Sequence, residues 1–346
     1  MRKFFLIHLS ILFLISIIFS QSNSYSYNSN SILLQDTCKV LLYFSGDVTF
    51  ADFFQNHVKD KFEYPFQKMQ WFKNADISMI NLENPLTDRG IPVEKKFTFR
   101  ASPDYVKIMK SGGIDIVTIA NNHIYDYGVE GLFDTITHLD SIGISHVGAG
   151  KNLAEARAPA IFSVKGINIG FLAYYGLNKH SDSYPATKDE AGTALRNLSY
   201  IEEDIKGLKN KADFIVVNFH WGEEKANYPG TDQIDFAHQV IEYGADLILG
   251  HHPHVLQGIE VYKKKVIAYS LGNFIFGGNS RKTYKSIILA VNINVCDTKG
   301  YSVKIIPIQV DYWQPFKINN SDSLEVIHDM KKFSSIFNQS IFQNEP

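Results

Sequence analysis

Cysteine is scarce in this chain, which carries only Cys38 and Cys296 among its 346 residues. Two cysteines exclude a small disulfide-rich scaffold, and they exclude a zinc module whose ligands are all thiolates. The pair could form a single disulfide if the protein folds in an oxidising compartment, and otherwise both are unpaired thiols. The sequence leaves these two alternatives open.

An excess of charge of either sign is also absent. The chain has 34 Lys and Arg against 36 Asp and Glu, so its formal net charge is -2. A general nucleic-acid binder needs a basic excess to neutralise phosphates, so we predict no nucleic-acid partner. Hydrophobic residues make up 45% and charged residues 20%, which is typical of a globular protein rather than a disordered chain or a coiled coil.

Long apolar runs are missing except at the N-terminus. Arg2 and Lys3 precede an almost wholly apolar stretch over residues 4–19, which is the pattern of a secretory signal. We predict that residues 1–20 are a signal peptide or, if uncleaved, an N-terminal membrane anchor. Residues 21–36 are rich in Ser, Asn and Tyr and are predicted to be a linker. Both alternatives export the rest of the chain, which would be periplasmic, extracellular or anchored to the cell membrane.

Three common catalytic signatures do not occur in the sequence, namely a P-loop, a glycine-rich dinucleotide fingerprint and a G-x-S-x-G nucleophile elbow. ATP-driven ligation by this chain is therefore not expected. Any chemistry has to come from residues that the fold brings together from distant parts of the chain.

The apolar pattern predicts an α/β fold. Six short apolar runs are predicted to be buried strands, at residues 39–44, 76–82, 114–120, 213–219, 246–250 and 266–270. Between them, apolar residues recur at helical spacing before Gly143 and before Gly244, each of which is suited to end a helix. A hairpin over residues 160–173 and two strands over 285–310 add antiparallel pairs and favour a two-sheet sandwich. The polar stretch over residues 314–346 is predicted to be a peripheral C-terminal extension.

Residues suited to bind a metal follow five of these strands. They are Asp47, Glu83, Asn122 with His123, His220, and His252 with His254. Because ligands bind beyond the carboxyl ends of strands in open α/β sheets, the five loops would bring these side chains together. Carboxylate and amide oxygens with imidazole nitrogens suit one or two divalent ions such as Zn²⁺, Mn²⁺ or Fe²⁺, or form an anion site. Taken singly, each residue has a plainer alternative as a turn residue, a helix cap or a hydrogen-bonded core histidine.

Seven longer motifs stand in order between about residues 40 and 310. They are GDV at 46–48, NLENP at 81–85, FTFR at 97–100, ANNHIYDYG at 120–128, HWGEE at 220–224 followed by Pro229 and Gln233, GHHPHVLQG at 250–258, and YSLGNFIF at 269–276. Together they resemble the CapA/PgsA family of poly-γ-glutamate capsule proteins. The resemblance implies a four-layer αββα sandwich over residues 37–313, related to the calcineurin-like metallophosphoesterases.

The resemblance also implies roles for individual residues. The residues that match the divalent-metal ligands of those phosphoesterases are Asp47, Glu83, Asn122, His220, His252 and His254. His123 matches the general acid that protonates the leaving oxygen, and His251 is an additional histidine that we expect to support the ligands without binding the ion. Two positions depart from the phosphoesterase pattern, because Thr49 replaces a histidine and Glu83 is a methylene longer than the expected aspartate. A single ion, or an anion site without turnover, is therefore compatible with the motifs.

Two further residues are candidates on chemical grounds. Arg100 lies near Lys95 and Lys96 and could bind a substrate carboxylate or phosphate bidentately, or it could belong to a solvated strand face. Glu223 could accept an N–H from a ligating histidine and so orient the ring, or it could cap the following turn.

The function implied by the resemblance is that of an exported CapA-type protein in capsule or poly-γ-glutamate biosynthesis or export. Its partners would be an anionic polymer or phosphorylated substrate, the membrane through the N-terminal segment, and a membrane capsule-synthesis complex. Two alternatives stay open: an exported metal-dependent phosphoesterase or related hydrolase, and a non-catalytic polymer-binding module on the same fold.

Overall fold

The computed structural model describes residues 38–176, 184–277, 283–296 and 300–343. The predicted signal segment and linker, residues 1–20 and 21–36, lie outside the described residues. Across the described ranges, no helix is both long enough and apolar enough to cross a membrane.

Sixteen strands and seven α-helices are found in the described residues. The strands β1 to β16 are Lys39–Thr49, Ile77–Leu82, Ile116–Thr118, Ser145–Val147, Ala149–Gly150, Ala160–Val164, Ile167–Tyr175, Gly192–Thr193, Phe214–His220, Leu247–His251, Ile259–Tyr262, Lys265–Ala268, Asn273–Phe276, Thr283–Asn294, Tyr301–Asp311 and Gln314–Lys317. The helices α1 to α7 are Phe53–Val58, Val106–Gly112, Gly128–Ser141, Leu153–Ala156, Leu198–Leu208, Thr231–Tyr243 and Asn320–Ser334. Three 3-10 helices lie at Tyr64–Phe66, Gln70–Asn74 and Pro103–Tyr105.

Most strands form two large sheets. The first has the order β16-β15-β14-β1-β2-β3-β4, with β13 also pairing with β1, and the second has the order β11-β12-β10-β9-β7-β6. The strands β1, β2, β3 and β4 run parallel, as do β7, β9, β10 and β12. The predicted hairpin over 160–173 is confirmed as β6–β7, and the two strands predicted over 285–310 are confirmed as β14–β15.

The two sheets pack face to face and carry helices on their outer sides. Leu42 and Phe44 of β1 belong to the same buried cluster as Phe171 and Val216 of the second sheet. The alternate residues of each strand point the other way, because side chains alternate across a strand. On that side, α2 and α3 cover the first sheet and α5 and α6 cover the second. The four-layer αββα prediction is therefore confirmed.

Helix α6 shows how the sequence ends an element. Gly244 adopts the left-handed conformation, with φ of 117°, and its N–H donates to carbonyls of the last turn. A residue with a Cβ is strained in that conformation, so glycine stops the helix before β10 begins. The chain then enters the second sheet at the register that brings His251 opposite His220.

The segment from residue 314 differs from the peripheral extension predicted for it. β16 forms the edge of the first sheet, and Val326 and Met330 of α7 are buried in the core between the sheets. The four-residue spacing of these two side chains matches one helical face, but the polar residues around them mask the pattern in the sequence. The segment is thus an integral part of the αββα unit.

A disulfide joins Cys38 to Cys296. The bond lies at the end of the antiparallel pair β1–β14, one residue beyond the paired Lys39 and two beyond Asn294. The sequence leaves open a disulfide or two unpaired thiols, and the structure has the disulfide. The crosslink ties the start of β1 to the end of its neighbour β14 in the first sheet.

Candidate metal centre

The predicted metal-binding residues gather where the parallel strands end. Asp47 lies within β1, two residues before its end, and Glu83 directly follows β2. His220 is the last residue of β9, and His252 and His254 lie in the loop that follows β10. Because β1 and β2 are parallel, and β9 and β10 are parallel, both sheets deliver their carboxyl ends to this place.

Asp47 is fully buried and is surrounded by the histidine loop. Its Oδ1 lies 3.3 Å from His251 Nδ1, and its Oδ2 lies 3.1 Å from His254 Nδ1. The backbone N–H of His252 also donates to Oδ2, at 3.2 Å. His254 Nδ1 is in addition 3.0 Å from Asn273 Oδ1 of β13. The carboxylate therefore holds the loop after β10 in place from the opposite sheet.

Glu83 is the residue that best indicates a cation. Its carboxylate is buried, and Oε1 lies 3.5 Å from His220 Nε2 and 3.7 Å from His254 Nε2. None of the described residues hydrogen-bonds Oε1, although a buried carboxylate oxygen normally has a partner. A divalent ion would supply that partner, so the residues present fit such an ion.

Donor atoms that could hold an ion form two overlapping sets. The atoms of each set all lie within 4.8 Å of one another, and the sets are Asp47, Glu83 and His220, and Glu83, His252 and His254. Glu83 belongs to both. Oxygen and imidazole donors of this kind suit divalent transition metals, so the centre can hold a divalent metal.

The loop that carries the histidines is held in a conformation that few residues adopt. His252 has φ of 97° and His254 has φ of 57°, both in the left-handed region. Such backbone is unfavourable for a residue with a side chain and persists only where the surroundings enforce it. The contacts of Asp47 with His252 N–H and His254 Nδ1 provide that enforcement.

The charges of the centre depend on burial and on one another. Burial acts to raise the pKa of Asp47, but the adjacent His251 and His254 imidazoles outweigh it and hold that pKa well below its usual value. Burial raises the pKa of Glu83 well above its usual value. Burial opposes the charge on His254, yet the Glu83 and Asp47 carboxylates outweigh it and raise the pKa of the ring to about 9. Without a metal, the centre therefore retains protons that an incoming cation would displace.

His220 differs from His254 in charge. Burial, reinforced by the neighbouring His252 ring, holds the pKa of the His220 imidazole well below its usual value. The ring is therefore neutral at neutral pH and has a lone pair that can coordinate a metal. Its Nε2 lies 2.8 Å from Asn122 Oδ1, which places the predicted amide ligand beside an imidazole of the centre.

His123 sits next to this group in a polar arrangement of its own. Its Nδ1 is 2.7 Å from Asp126 Oδ2, and Asp126 is also ion-paired with Lys95. The ring packs on Phe99 at 4.2 Å between centroids. Burial is the largest influence on the pKa of His123 and lowers it, while Asp126 acts in the opposite direction. No described residue hydrogen-bonds Nε2, so that nitrogen can meet a ligand.

Asn81 is part of the centre and is not among the residues that the sequence predicted. Its Nδ2 donates to Asp47 Oδ1 at 2.8 Å and lies 3.5 Å from Glu83 Oε2 and 3.3 Å from His220 Nδ1. Its Oδ1 accepts from Asn121 Nδ2 at 3.0 Å, which orients the amide. The sequence signal that could have identified Asn81 is its place as a polar residue in a strand that is buried throughout.

Two other predicted residues, and Thr49 at the position where the phosphoesterase pattern has a histidine, take different positions. Arg100 is exposed, with its guanidinium 4.4 Å from the centroid of the Tyr127 ring, and makes no described contact with the centre. Glu223 is exposed on the wall of a cavity that also includes His220 and His252. Thr49 is buried, and its Oγ1 accepts from the N–H of Ala51 at 3.2 Å, so it serves the backbone. The roles given to Arg100 and Glu223 stay predictions.

Two solved structures align with most of this chain. A putative 5'-nucleotidase from Staphylococcus aureus is 16% identical, with a TM-score of 0.48 over 85% of this chain and 58% of that chain. A hypothetical protein from Thermus thermophilus is also 16% identical, with a TM-score of 0.47 over 79% of this chain and 99% of that chain. At these identities and TM-scores neither likeness supports an inference about function.

Sequence relatives identify the family. The profile described as "Bacterial capsule synthesis protein PGA_cap" matches residues 41–278. The "Capsule biosynthesis protein CapA" of Bacillus anthracis is 31% identical over 79% of this chain and 68% of its own length. The "PGA biosynthesis protein CapA" of Bacillus subtilis strain 168 is 32% identical over 76% of this chain and 70% of its own length. On these matches, the chain belongs to the bacterial capsule synthesis protein PGA_cap family.

Proposed function

We propose that this protein acts outside the cytoplasm in the biosynthesis or export of a poly-γ-glutamate-type capsule polymer, and that a divalent metal held by its carboxylate–histidine centre is required. The relatives' names support the capsule role. The observation that carries the metal requirement is Glu83 Oε1, buried between two imidazoles with no hydrogen-bond partner among the described residues.

The residues that would hold the ion are Asp47, Glu83, Asn122, His220, His252 and His254. A bound divalent ion would supply Lewis acidity to a carbonyl or phosphoryl oxygen of the ligand. Asn81 keeps the Asp47 carboxylate oriented through its hydrogen bond, and Asp47 in turn fixes the backbone of the histidine loop. These contacts preorganise the site in the protein itself.

A hydrolase is the second candidate function, and His123 favours it. The hydrogen bond between Nδ1 and Asp126 fixes the ring orientation and places the exchangeable proton of the charged ring on Nε2. A group held in this way next to a metal centre can donate a proton to a leaving oxygen of a phosphorylated or γ-glutamyl substrate. The non-catalytic polymer-binding module has no such use for His123.

Export is a proposal that two observations support. Arg2 and Lys3 precede an apolar stretch, which is the pattern of a secretory signal or an N-terminal anchor. The Cys38–Cys296 disulfide is typical of proteins in oxidising compartments. We propose that the N-terminal segment directs the domain to the outer face of the membrane, where a capsule-synthesis complex would be its partner.

Fusing a reporter after residue 346 tests this topology. An alkaline phosphatase fusion is expected to be active and a green fluorescent protein fusion dark, because the first folds only outside the cytoplasm and the second fails there. Deleting residues 1–20 is the matched control and should reverse both signals. Cytoplasmic fluorescence from the fusion to the intact chain would contradict export.

Deleting the gene in its own host and restoring it tests the capsule role. We expect cell-associated poly-γ-glutamate to fall on deletion and to return with the wild-type gene. Cells that receive the Glu83→Gln gene should make at least about tenfold less polymer than cells that receive the wild-type gene, because the substitution removes the carboxylate shared by both donor sets. His57→Ala, which removes an exposed histidine on α1, should restore it fully. Wild-type polymer levels with Glu83→Gln would contradict the proposed function.

A further inference from the structure

A cavity of about 390 Å³ opens beside the candidate metal centre. His220 and His252 of the centre form part of its wall, and Arg196, Trp221 and Gln233 form another part. A ligand in this cavity would therefore touch the metal-binding residues and these three side chains at once. None of the roles assigned so far explains why an arginine and a glutamine should line it.

Arg196 is a largely buried cation without a carboxylate partner among the described residues. Its guanidinium packs against the rings of Phe236 and Trp221, with centroids at 5.1 Å and 5.9 Å. Its Nε is buried and has no hydrogen-bond acceptor there. Burial is the main influence on the pKa of Arg196 and lowers it, but a guanidinium remains charged at any physiological pH. A buried charge of this kind is unfavourable unless an anion reaches it.

Gln233 presents a second donor to the same cavity. Its Oε1 accepts the N–H of Gly230 at 2.9 Å, which fixes the orientation of the side-chain amide. Its Nε2 is therefore turned away from that contact, and it is buried with no acceptor among the described residues. Gly222 makes room for this amide, because a Cβ there would lie 2.7 Å from Nε2. The chain thus keeps space for a donor that nothing in the described structure uses.

The acidic residues around the cavity indicate which anion fits. Glu223 and Asp232 also line it, and Asp232 acts on Arg196 through space. These two carboxylates repel a phosphate dianion more strongly than a carboxylate monoanion, because the dianion carries more charge. The single guanidinium of Arg196 is enough to balance the charge of a carboxylate monoanion. The planar N–H edge of a guanidinium also matches a planar carboxylate in geometry.

We propose that Arg196 and Gln233 form a carboxylate-binding subsite that recognises a free α-carboxylate of a γ-linked glutamate chain and so positions the neighbouring amide bond over the metal centre. The subsite rests on the proposed function, since it names the part of the polymer that the same site would read. Arg196 would be a specificity-determining residue, and Gln233 would accompany it as a neutral donor.

Binding of a γ-linked glutamate hexamer to the full chain, measured by calorimetry, tests the subsite. Arg196→Met should weaken binding by about 30-fold or more, because it removes one partner of a buried charge pair. Arg196→Lys should bind the hexamer with an affinity between those of the wild type and Arg196→Met, since a lysine keeps the charge and loses the planar guanidinium. Gln233→Leu should weaken binding by about 3- to 10-fold, the usual value of one hydrogen bond. Arg89→Met is the control, because Arg89 is exposed and pairs with Asp134.

A hexamer whose α-carboxylates are replaced by amides separates the carboxylate contact from the rest. It should bind the wild type weakly, and Arg196→Met should change that weak binding little. The melting temperature of Arg196→Met should equal or exceed that of the wild type, because an uncompensated buried charge has been removed. A lower melting temperature with an unchanged dissociation constant would assign Arg196 a structural role and overturn the proposal.

Other outcomes also decide against the subsite. It is overturned if the wild type does not bind the hexamer, or if Arg196→Met and Arg196→Lys both bind it as well as the wild type. Arg196-dependent binding of inorganic phosphate without binding of the hexamer would make it a phosphate site instead. Failure of the proposed function is a different result, namely wild-type polymer levels in the host with Glu83→Gln.

Discussion

Glu83→Gln is expected to abolish the binding of divalent metal. The two sets of donor atoms share only this residue, so its loss removes a ligand from both. Glutamine has nearly the same shape and keeps one oxygen, but it lacks the negative charge that offsets the cation. Mutating a residue that only supports the ligands of a metal site typically lowers metal affinity by about 10- to 100-fold. Loss of a ligand itself should therefore lower the affinity by more than about 100-fold. Elemental analysis of the purified full chain after dialysis against Mn²⁺ or Zn²⁺ measures the result.

Two narrower substitutions distinguish the two sets. Asp47→Asn removes a ligand only from the set with His220, and His252→Ala removes one only from the set with His254. Each should lower the bound metal, and Glu83→Gln should lower it furthest. His57→Ala is the matched control and should bind metal as the wild type does. Equal metal content in the wild type and in all three site variants would contradict the metal centre.

The affinity for metal should also rise with pH. His254 has a pKa raised to about 9, so its ring carries a proton in the metal-free protein near neutral pH. Glu83, with its pKa raised by burial, holds a proton more readily than an exposed glutamate does. Metal must displace these protons, so the apparent affinity should increase as pH rises toward about 9. A flat dependence would show that these groups do not bind the ion.

The strands that carry the centre were predictable because both of their faces are buried. Every residue of β2, β9 and β10 is buried, so each strand appears in the sequence as a mostly apolar run, interrupted only by a few polar residues such as Asn81 and Asn218. The residues at their ends were then grouped by a general property of parallel sheets. That argument identified Glu83 and His220 as candidate metal ligands from the sequence alone.

The end of β1 was not predictable from its own residues. The sequence suggested a strand that stops at residue 44, whereas β1 continues to Thr49. The continuation depends on β13, which pairs with it in parallel and places Asn273 opposite Asp47. These residues are more than two hundred positions apart, so only the tertiary structure shows that Asp47 sits inside a strand.

The supporting residues were missed for a related reason. Asn81 and Asp126 both lie in motifs that stood out in the sequence, yet nothing local shows which atoms they contact. Asn81 contacts Asp47 and His220, and Asp126 contacts His123 and Lys95. Such contacts join loops from different strands and become visible only when the sheets are assembled.

His123→Gln is expected to separate chemistry from metal binding. If the protein hydrolyses a phosphoester or a γ-glutamyl bond, the substitution should lower the rate by about 10²- to 10⁴-fold, which is what a positioned proton donor contributes. Glutamine keeps a side-chain donor of similar reach but cannot give up a proton. The bound metal should not change, because neither donor set includes His123. The measurements are the metal content of the variant and its rate per mole of folded protein.

Asp126→Asn is the companion variant that tests how the ring is held. Asp126 accepts from His123 Nδ1 and is ion-paired with Lys95, so the amide should leave the ring in place but weaken its protonated form. The hydrolytic rate should therefore fall, and the fall should be larger at high pH, where the ring loses its proton more easily. If His123 only packs on Phe99, His123→Gln should lower the melting temperature and leave the rate per folded molecule unchanged. If His123 binds the ion instead, the metal content should fall together with the rate, and the general-acid role would be lost.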